Sequence, residues 1–178
     1  MKLFRFFFLL VLISCAHHPT LNSSNKTYVG IEKLRKKKEL KIIGWREWVA
    51  LPNLKIPKIK VKVDTGARTS ALHAFDIEKY RRDGKDFVKF KVHPEQDRPK
   101  KTIECRSRVL EYRKIKSSNG QTELRPVILT TVELLGEAWE VEITLTNRDQ
   151  MGFRMLLGRA SIKNKFLVHS GKSFYSKK

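Results

Sequence analysis

Asp64-Thr65-Gly66-Ala67 is the segment of this 178-residue chain best suited to do chemistry. It follows the alternating run Lys58-Ile59-Lys60-Val61-Lys62-Val63, so a strand would deliver one carboxylate into a tight turn whose glycine lets the backbone bend. A carboxylate in such a corner can activate water if a second carboxylate faces it, because two like charges held close together share a single proton. The chain has no second Asp-Thr-Gly and no Asp-Ser-Gly. A carboxylate pair therefore requires Asp64 from another copy of the chain. Asp-Thr-Gly alone is also ordinary turn composition, since Asp and Gly dominate turns for backbone reasons.

Other chemistries fit less well. Zinc hydrolysis calls for a His-Glu-x-x-His helix or three ligands with an open position, and the five histidines show no such spacing. Gly171-Lys172-Ser173 ends like a phosphate loop, but Phe166 stands where the leading glycine belongs. No metal and no cofactor is expected. Cys105 lacks a histidine at a telling spacing and reads as a small buried residue.

The elements that must position Asp64 are strands, because from Leu40 onward the dominant period is two. Ile42 to Leu51 reads as one strand closed by Pro52 and Pro57. Phe87 to Val92 alternates between Asp83-Gly84 and His93-Pro94. Ile103 to Ile115 and Glu123 to Val132 bracket Ser117-Ser118-Asn119-Gly120, a strong hairpin signal. Glu133 to Thr146 reads as a strand pair turning at Gly136, and Met155-Leu156-Leu157 as a strand buried on both faces. Only Arg159 to Lys165 and Ile77 to Arg82 have helical character. The expected fold is all-β, a small closed or nearly closed barrel, with 41–170 as the folded domain.

The N-terminus points to export. Lys2 and Arg5 flank an apolar stretch, Phe6 to Ile13, too short to span a membrane, which needs about 20 residues. Leu12-Ile13-Ser14-Cys15 resembles a bacterial lipoprotein cleavage box, with 1–14 as the signal peptide and Cys15 as the lipidated residue. Residues 15–40 then form a polar and basic tether, and 171–178 a basic tail. The mature protein is expected at the cell envelope, held in a membrane by its N-terminal lipid. Ala16 resembles the pattern sorted to the outer membrane. The net charge of +20 favours acidic partners, either anionic headgroups or acidic peptides. Nucleic acid is not expected as a partner, because basic and aromatic residues are not interleaved as a stacking platform requires.

Several segments together carry a resemblance. They are Val63 to Leu72, Ser117 to Gly120, Arg125-Pro126-Val127-Ile128, Leu145-Thr146-Asn147-Arg148 and Met151 to Arg159 with its Leu156-Leu157-Gly158. The chain resembles the retropepsin-like aspartic protease family often labelled an ATP-dependent zinc protease, over about Lys41 to Val168. Members often sit beside enzymes that add glutamate to ribosomal protein tails. The resemblance implies one barrel lobe per chain, a homodimer, and catalysis by Asp64 with Thr65 and Gly66. Thr65 would brace the dyad across the two-fold axis. Leu156, Leu157 and Gly158 would support the corner, and Asn119-Gly120 would tip a flap that closes over a peptide. Ala67, Arg68, Asn119, Gly120, Arg125 and Arg154 are the candidate substrate contacts. Arginines at 68, 125, 148, 154 and 159 would suit a glutamate-rich peptide, although Arg68 could instead form a surface pair with Asp76 or Glu78.

Two features depart from the family. Val168-His169-Ser170 replaces the usual Val-Asp-Pro, and the export signal removes a ribosomal tail from reach. The expectation is an envelope aspartic endopeptidase. The competing expectation is a non-catalytic module that holds an acidic peptide or polymer on the same barrel.

Overall fold

A computed structural model describes residues 39–95, 101–116 and 120–176. The signal peptide, Cys15 and almost all of the tether lie outside them, as do Ser117, Ser118 and Asn119. Eleven strands, one α-helical turn and a 3-10 turn at Pro52–Leu54 between β2 and β3 make up the fold, in the order β1 (Lys41–Gly44), β2 (Arg46–Leu51), β3 (Ile56–Asp64), β4 (Ser70–His73), β5 (Phe75–Arg82), β6 (Lys85–Val92), β7 (Ile103–Lys116), β8 (Thr122–Leu134), β9 (Glu137–Thr146), β10 (Met155–Gly158), α1 (Arg159–Ile162) and β11 (Phe166–His169).

The main sheet runs β2-β3-β10-β4-β9-β8-β7-β6-β5, and β2 also pairs with β8 through Ala50 and Glu133. Six strands thus close a barrel, and β7, β6 and β5 continue outward from it. The fold is all-β with a closed barrel, as expected. Inside the barrel lie Ile59, Val61, Leu72, Ile128, Ile143, Leu145, Met155 and Leu157, all essentially without solvent contact. Alternation produces this: each strand turns every second residue inward, and the apolar set falls on that phase.

Turn chemistry sets the hairpins. Asp83-Gly84 and Leu135-Gly136 both have positive φ at their two central residues. This is the primed turn whose twist matches two antiparallel strands. β7 and β8 pair as the hairpin that Ser117 to Gly120 signalled.

Three local expectations are corrected. Ile42 to Leu51 is not one strand. It breaks at Trp45, where β1 leaves to pair in parallel with β11 while β2 joins the barrel. Pro57 does not close a strand but lies within β3, at the irregular start where its ladder with β2 shifts register. Ile77 to Arg82 is not helical. It belongs to β5, paired antiparallel with β6, and its mostly exposed side chains hide the period of two.

The stretch read as a basic tail is described through Ser176, and it lies along β2. Trp45 donates to Lys172 O at 3.0 Å, and Phe174 donates to Arg46 O at 2.9 Å. The fully buried Glu47 carboxylate accepts from Gly44 N, Tyr175 N, Ser176 N and Ser176 Oγ.

Candidate active site

β3 buries Ile59, Val61 and Val63, while Lys58 and Lys60 lie over the Trp48 ring on the other face. At its end the half-buried Asp64 enters the turn. Asp64 Oδ1 accepts the backbone N–H groups of Gly66 and Ala67, each at 3.0 Å. Two donors on one oxygen fix the plane of the carboxylate, and the second oxygen takes no part in the turn.

β10 holds this corner from behind. It lies between β3, to which it runs parallel, and β4, to which it runs antiparallel, with Gly158 opposite Asp64. Gly158 is needed for close approach: a Cβ there would lie 2.6 Å from both Thr69 C and Thr69 O and 2.9 Å from Arg68 O. Ser70 Oγ accepts the Gly158 N–H at 3.0 Å and shares a hydrogen bond with Ser161 Oγ at 2.7 Å. The first turn of α1 completes the clamp. Arg159 N donates to Ala67 O at 2.8 Å and Ala160 N to Arg68 O at 3.1 Å. The Arg159 side chain donates to Thr65 O at 3.0 Å. The continuous β10–α1 segment, 88 to 94 residues away in sequence, therefore clamps residues 64–70.

The arginines separate into different roles. Arg148 stands near Asp64, whose carboxylate favours its charged form. Burial, first, and the neighbouring Arg125 charge nevertheless hold its pKa below the usual guanidinium value. Its Nε donates to Phe153 O at 3.3 Å. Arg125 is mostly covered and donates to Glu123 at 2.7 Å, and the same Glu123 oxygen accepts from Thr146. Arg68 is exposed and lines a cleft with Thr69, Ser70, Arg113, Glu142 and Ser161. It does not take Asp76, which pairs with Lys91 at 2.8 Å. Arg154 sits one residue before β10, at the end opposite Gly158. It is buried and its guanidinium donates to Asp149 Oδ1 at 2.5 Å.

Leu157 is fully buried and Leu156 half-buried, both under the corner. Thr65, Gly66 and Gly120 are exposed, and Ala67 is half-buried. Gly120 sits at the β7–β8 turn with φ of 84°. Asn119 and Cys15 lie outside the described residues. Among the described residues no three His, Cys, Asp or Glu come together as metal ligands would. Sequence reasoning missed Ser70 as a support of the corner. The available signal was a polar residue opening a strand, Ser70–His73, that is buried throughout. Arg148 was noticed among the motif arginines but not chosen as a site residue.

Each chain thus presents one well-anchored carboxylate within electrostatic reach of a half-buried cation. Comparison with known proteins gives the same picture of the fold. Over 133 residues, 75% of this chain, it is 53% identical to a probable alpha-L-glutamate ligase of Shewanella pealeana, covering 29% of that protein. It is 45% identical over 128 residues to a protein of the same name from Desulfotalea psychrophila, covering 28% of it. The chain therefore spans less than a third of these relatives. A crystal structure of Lpg0085, a protein of unknown function from Legionella pneumophila, superposes with a TM-score of 0.63 at 24% identity, covering 78% of this chain and all of that one. That likeness shows the fold. Residues 42–178 match the family model described as RimB-like, retropepsin-like aspartic endopeptidase RimB, and the chain belongs to that family.

Proposed function

We propose that the protein is an aspartic endopeptidase that works as a homodimer, each copy contributing Asp64 to one dyad. The observation that carries this is the immobilised Asp64 corner, with Oδ1 fixed by two backbone N–H groups and the loop clamped by Gly158, Ser70 and α1. Brought within about 3 Å across a two-fold axis, the two carboxylates would hold one proton between them. The ionised member takes a proton from water. The protonated member donates to the peptide carbonyl oxygen as the tetrahedral intermediate forms, and a proton then passes to the leaving nitrogen. Thr65 braces the pair, and the β7–β8 turn at Gly120 folds over the substrate.

The substrate is an acidic peptide. Arg148, whose charged form the Asp64 carboxylate favours, and the exposed Arg68 in the same loop as Asp64 support this as sources of positive charge at the corner. The glutamate ligase names of the longer relatives point to glutamate-rich chains as the material handled. The lipoprotein box at Leu12 to Cys15 supports a lipid-anchored enzyme of the bacterial envelope.

The test is cleavage of glutamate-rich and neutral peptide libraries by wild type and Asp64→Asn, with mass measured by light scattering. Asn keeps the Oδ1 acceptor, so the variant should remain folded and dimeric while losing at least about 10²–10⁴-fold in rate. Equal cleavage by both proteins, or activity from a strict monomer, refutes the dyad.

A further inference from the structure

β4 has a second polar residue at its other end. His73 is 2% exposed, and its Nδ1 accepts the backbone N–H of Arg148 at 2.9 Å. Its backbone N–H donates to Arg154 O at 2.7 Å, and its ring stacks on Phe75, which packs against His93. Because Nδ1 accepts, the proton of the neutral ring lies on Nε2, 3.9 Å from Asp149 Oδ1. A single hydrogen bond thus ties the buried strand that also carries Ser70 to the residue whose guanidinium stands near Asp64.

We propose that His73 is a positioning residue for the Asp64 site: by accepting the Arg148 N–H it fixes the segment that carries the Arg148 guanidinium, which lies within electrostatic reach of the carboxylate. This rests on Asp64 being the catalytic group. Protonation at Nδ1 would convert the acceptor into a donor, leaving two N–H groups facing each other in a buried place. It would also set an imidazolium against Arg154. The charged neighbours are Arg154, Asp149, His93 and Arg148. Burial, then Arg154, hold the His73 pKa below 6.5, with His93 and Arg148 adding and Asp149 opposing. The sign of the pH effect follows. The unfolded chain takes up this proton first as pH falls through 6.5. The clamp is therefore complete above that value and weakens between it and the lower folded value.

Two variants separate the acceptor from the ring. His73→Asn puts an amide oxygen near the Nδ1 position, where it accepts but does not titrate; His73→Leu fills the space without accepting. The fragment from residue 39 is suitable, since Leu40 to Lys178 forms one compact unit and a solved relative consists wholly of the matching region. In ¹⁵N-labelled protein the ring should show the Nε2–H tautomer. The Arg148 amide should resist hydrogen exchange near neutral pH and lose that protection as pH falls below 6.5. His73→Asn should keep the protection throughout, and His73→Leu should lose it at every pH. On a cleaved peptide, His73→Leu should lower kcat/KM about 10–100-fold, with His73→Asn restoring activity and flattening the acid limb.

An Nδ1–H tautomer, or unchanged Arg148 protection in His73→Leu, overturns the proposal whatever the peptides do. Unchanged kcat/KM and pH profile in His73→Leu, with wild type active, overturns the positioning role while Asp64 stands. A wild type that cleaves nothing removes the catalytic role itself, and the tautomer and exchange results then decide the clamp alone.

Discussion

Replacing Gly158 with alanine should damage both stability and activity, because the added methyl has nowhere to go. Its ideal position lies 2.6 Å from Thr69 C and Thr69 O and 2.9 Å from Arg68 O, all backbone atoms. Carbon atoms pack best at about 3.5–4.0 Å, so the Asp64 loop must withdraw from β10 by roughly 1 Å. Three hydrogen bonds cross that gap: Gly158 N to Ser70 Oγ, Arg159 N to Ala67 O and Ala160 N to Arg68 O. Overpacking costs about 1–3 kcal/mol and a weakened hydrogen bond about 1 kcal/mol, so a loss near 3 kcal/mol is expected. At roughly 3–4 °C per kcal/mol for a domain of this size, the melting temperature should fall by about 10 °C. A displacement of about 1 Å at a reacting group should also lower kcat by about 10²-fold. Gly66→Ala is the control, since its methyl would meet only the Asp64 Oδ1 atom at 3.3 Å. It should melt within a few degrees of wild type, at a cost below about 1 kcal/mol. The assay pairs thermal unfolding with peptide cleavage for both variants. A Gly158→Ala protein that melts within about 2 °C of wild type, or one more stable than Gly66→Ala, would refute the close-approach argument.

Two further outcomes test other parts of the fold. Glu47→Leu strips the acceptor from Gly44 N, Tyr175 N, Ser176 N and Ser176 Oγ, and should cost about 3 kcal/mol in urea unfolding. Truncation after Gly171 removes all of those donors except Gly44, so the double variant should lose clearly less than the sum; additivity would show that Glu47 does not hold the C-terminal segment. Cys105 is 3% exposed, and burial, with the Glu104 charge adding, pushes its thiol up to about 11. In the fragment from residue 39 it should resist a thiol reagent near neutral pH until urea unfolds the chain, and rapid labelling of the native protein would contradict its burial.

The sequence revealed most where a local rule has a single solution. Ile59, Val61 and Val63 alternate with lysines, so β3 had one inward face whatever its partners. Asp83-Gly84 and the turn at Gly136 had to reverse the chain, because their backbone twist suits little else. The break at Trp45 was hidden, since the pattern runs on through it. It is created by Lys172 O, which takes the Trp45 N–H, and by Glu47, which takes that of Gly44. β5 was hidden for a related reason: with charged side chains on both faces, only its ladder with β6 makes it a strand.

The sequence by itself determined the kind of chemistry available, one carboxylate per chain in a glycine corner at the end of a half-buried strand. Residue type and period sufficed, because both act within a few residues. Only the tertiary structure decided what surrounds that carboxylate. Five arginines lay in the motif segments with no local reason to rank them. Folding turned Arg154 toward Asp149 and tied Arg159 to Thr65 O. It paired Arg125 with Glu123, left Arg68 exposed, and brought Arg148 within electrostatic reach of Asp64 with its backbone N–H on His73. These partners lie up to 94 residues apart, and no local pattern selects among them until the barrel closes.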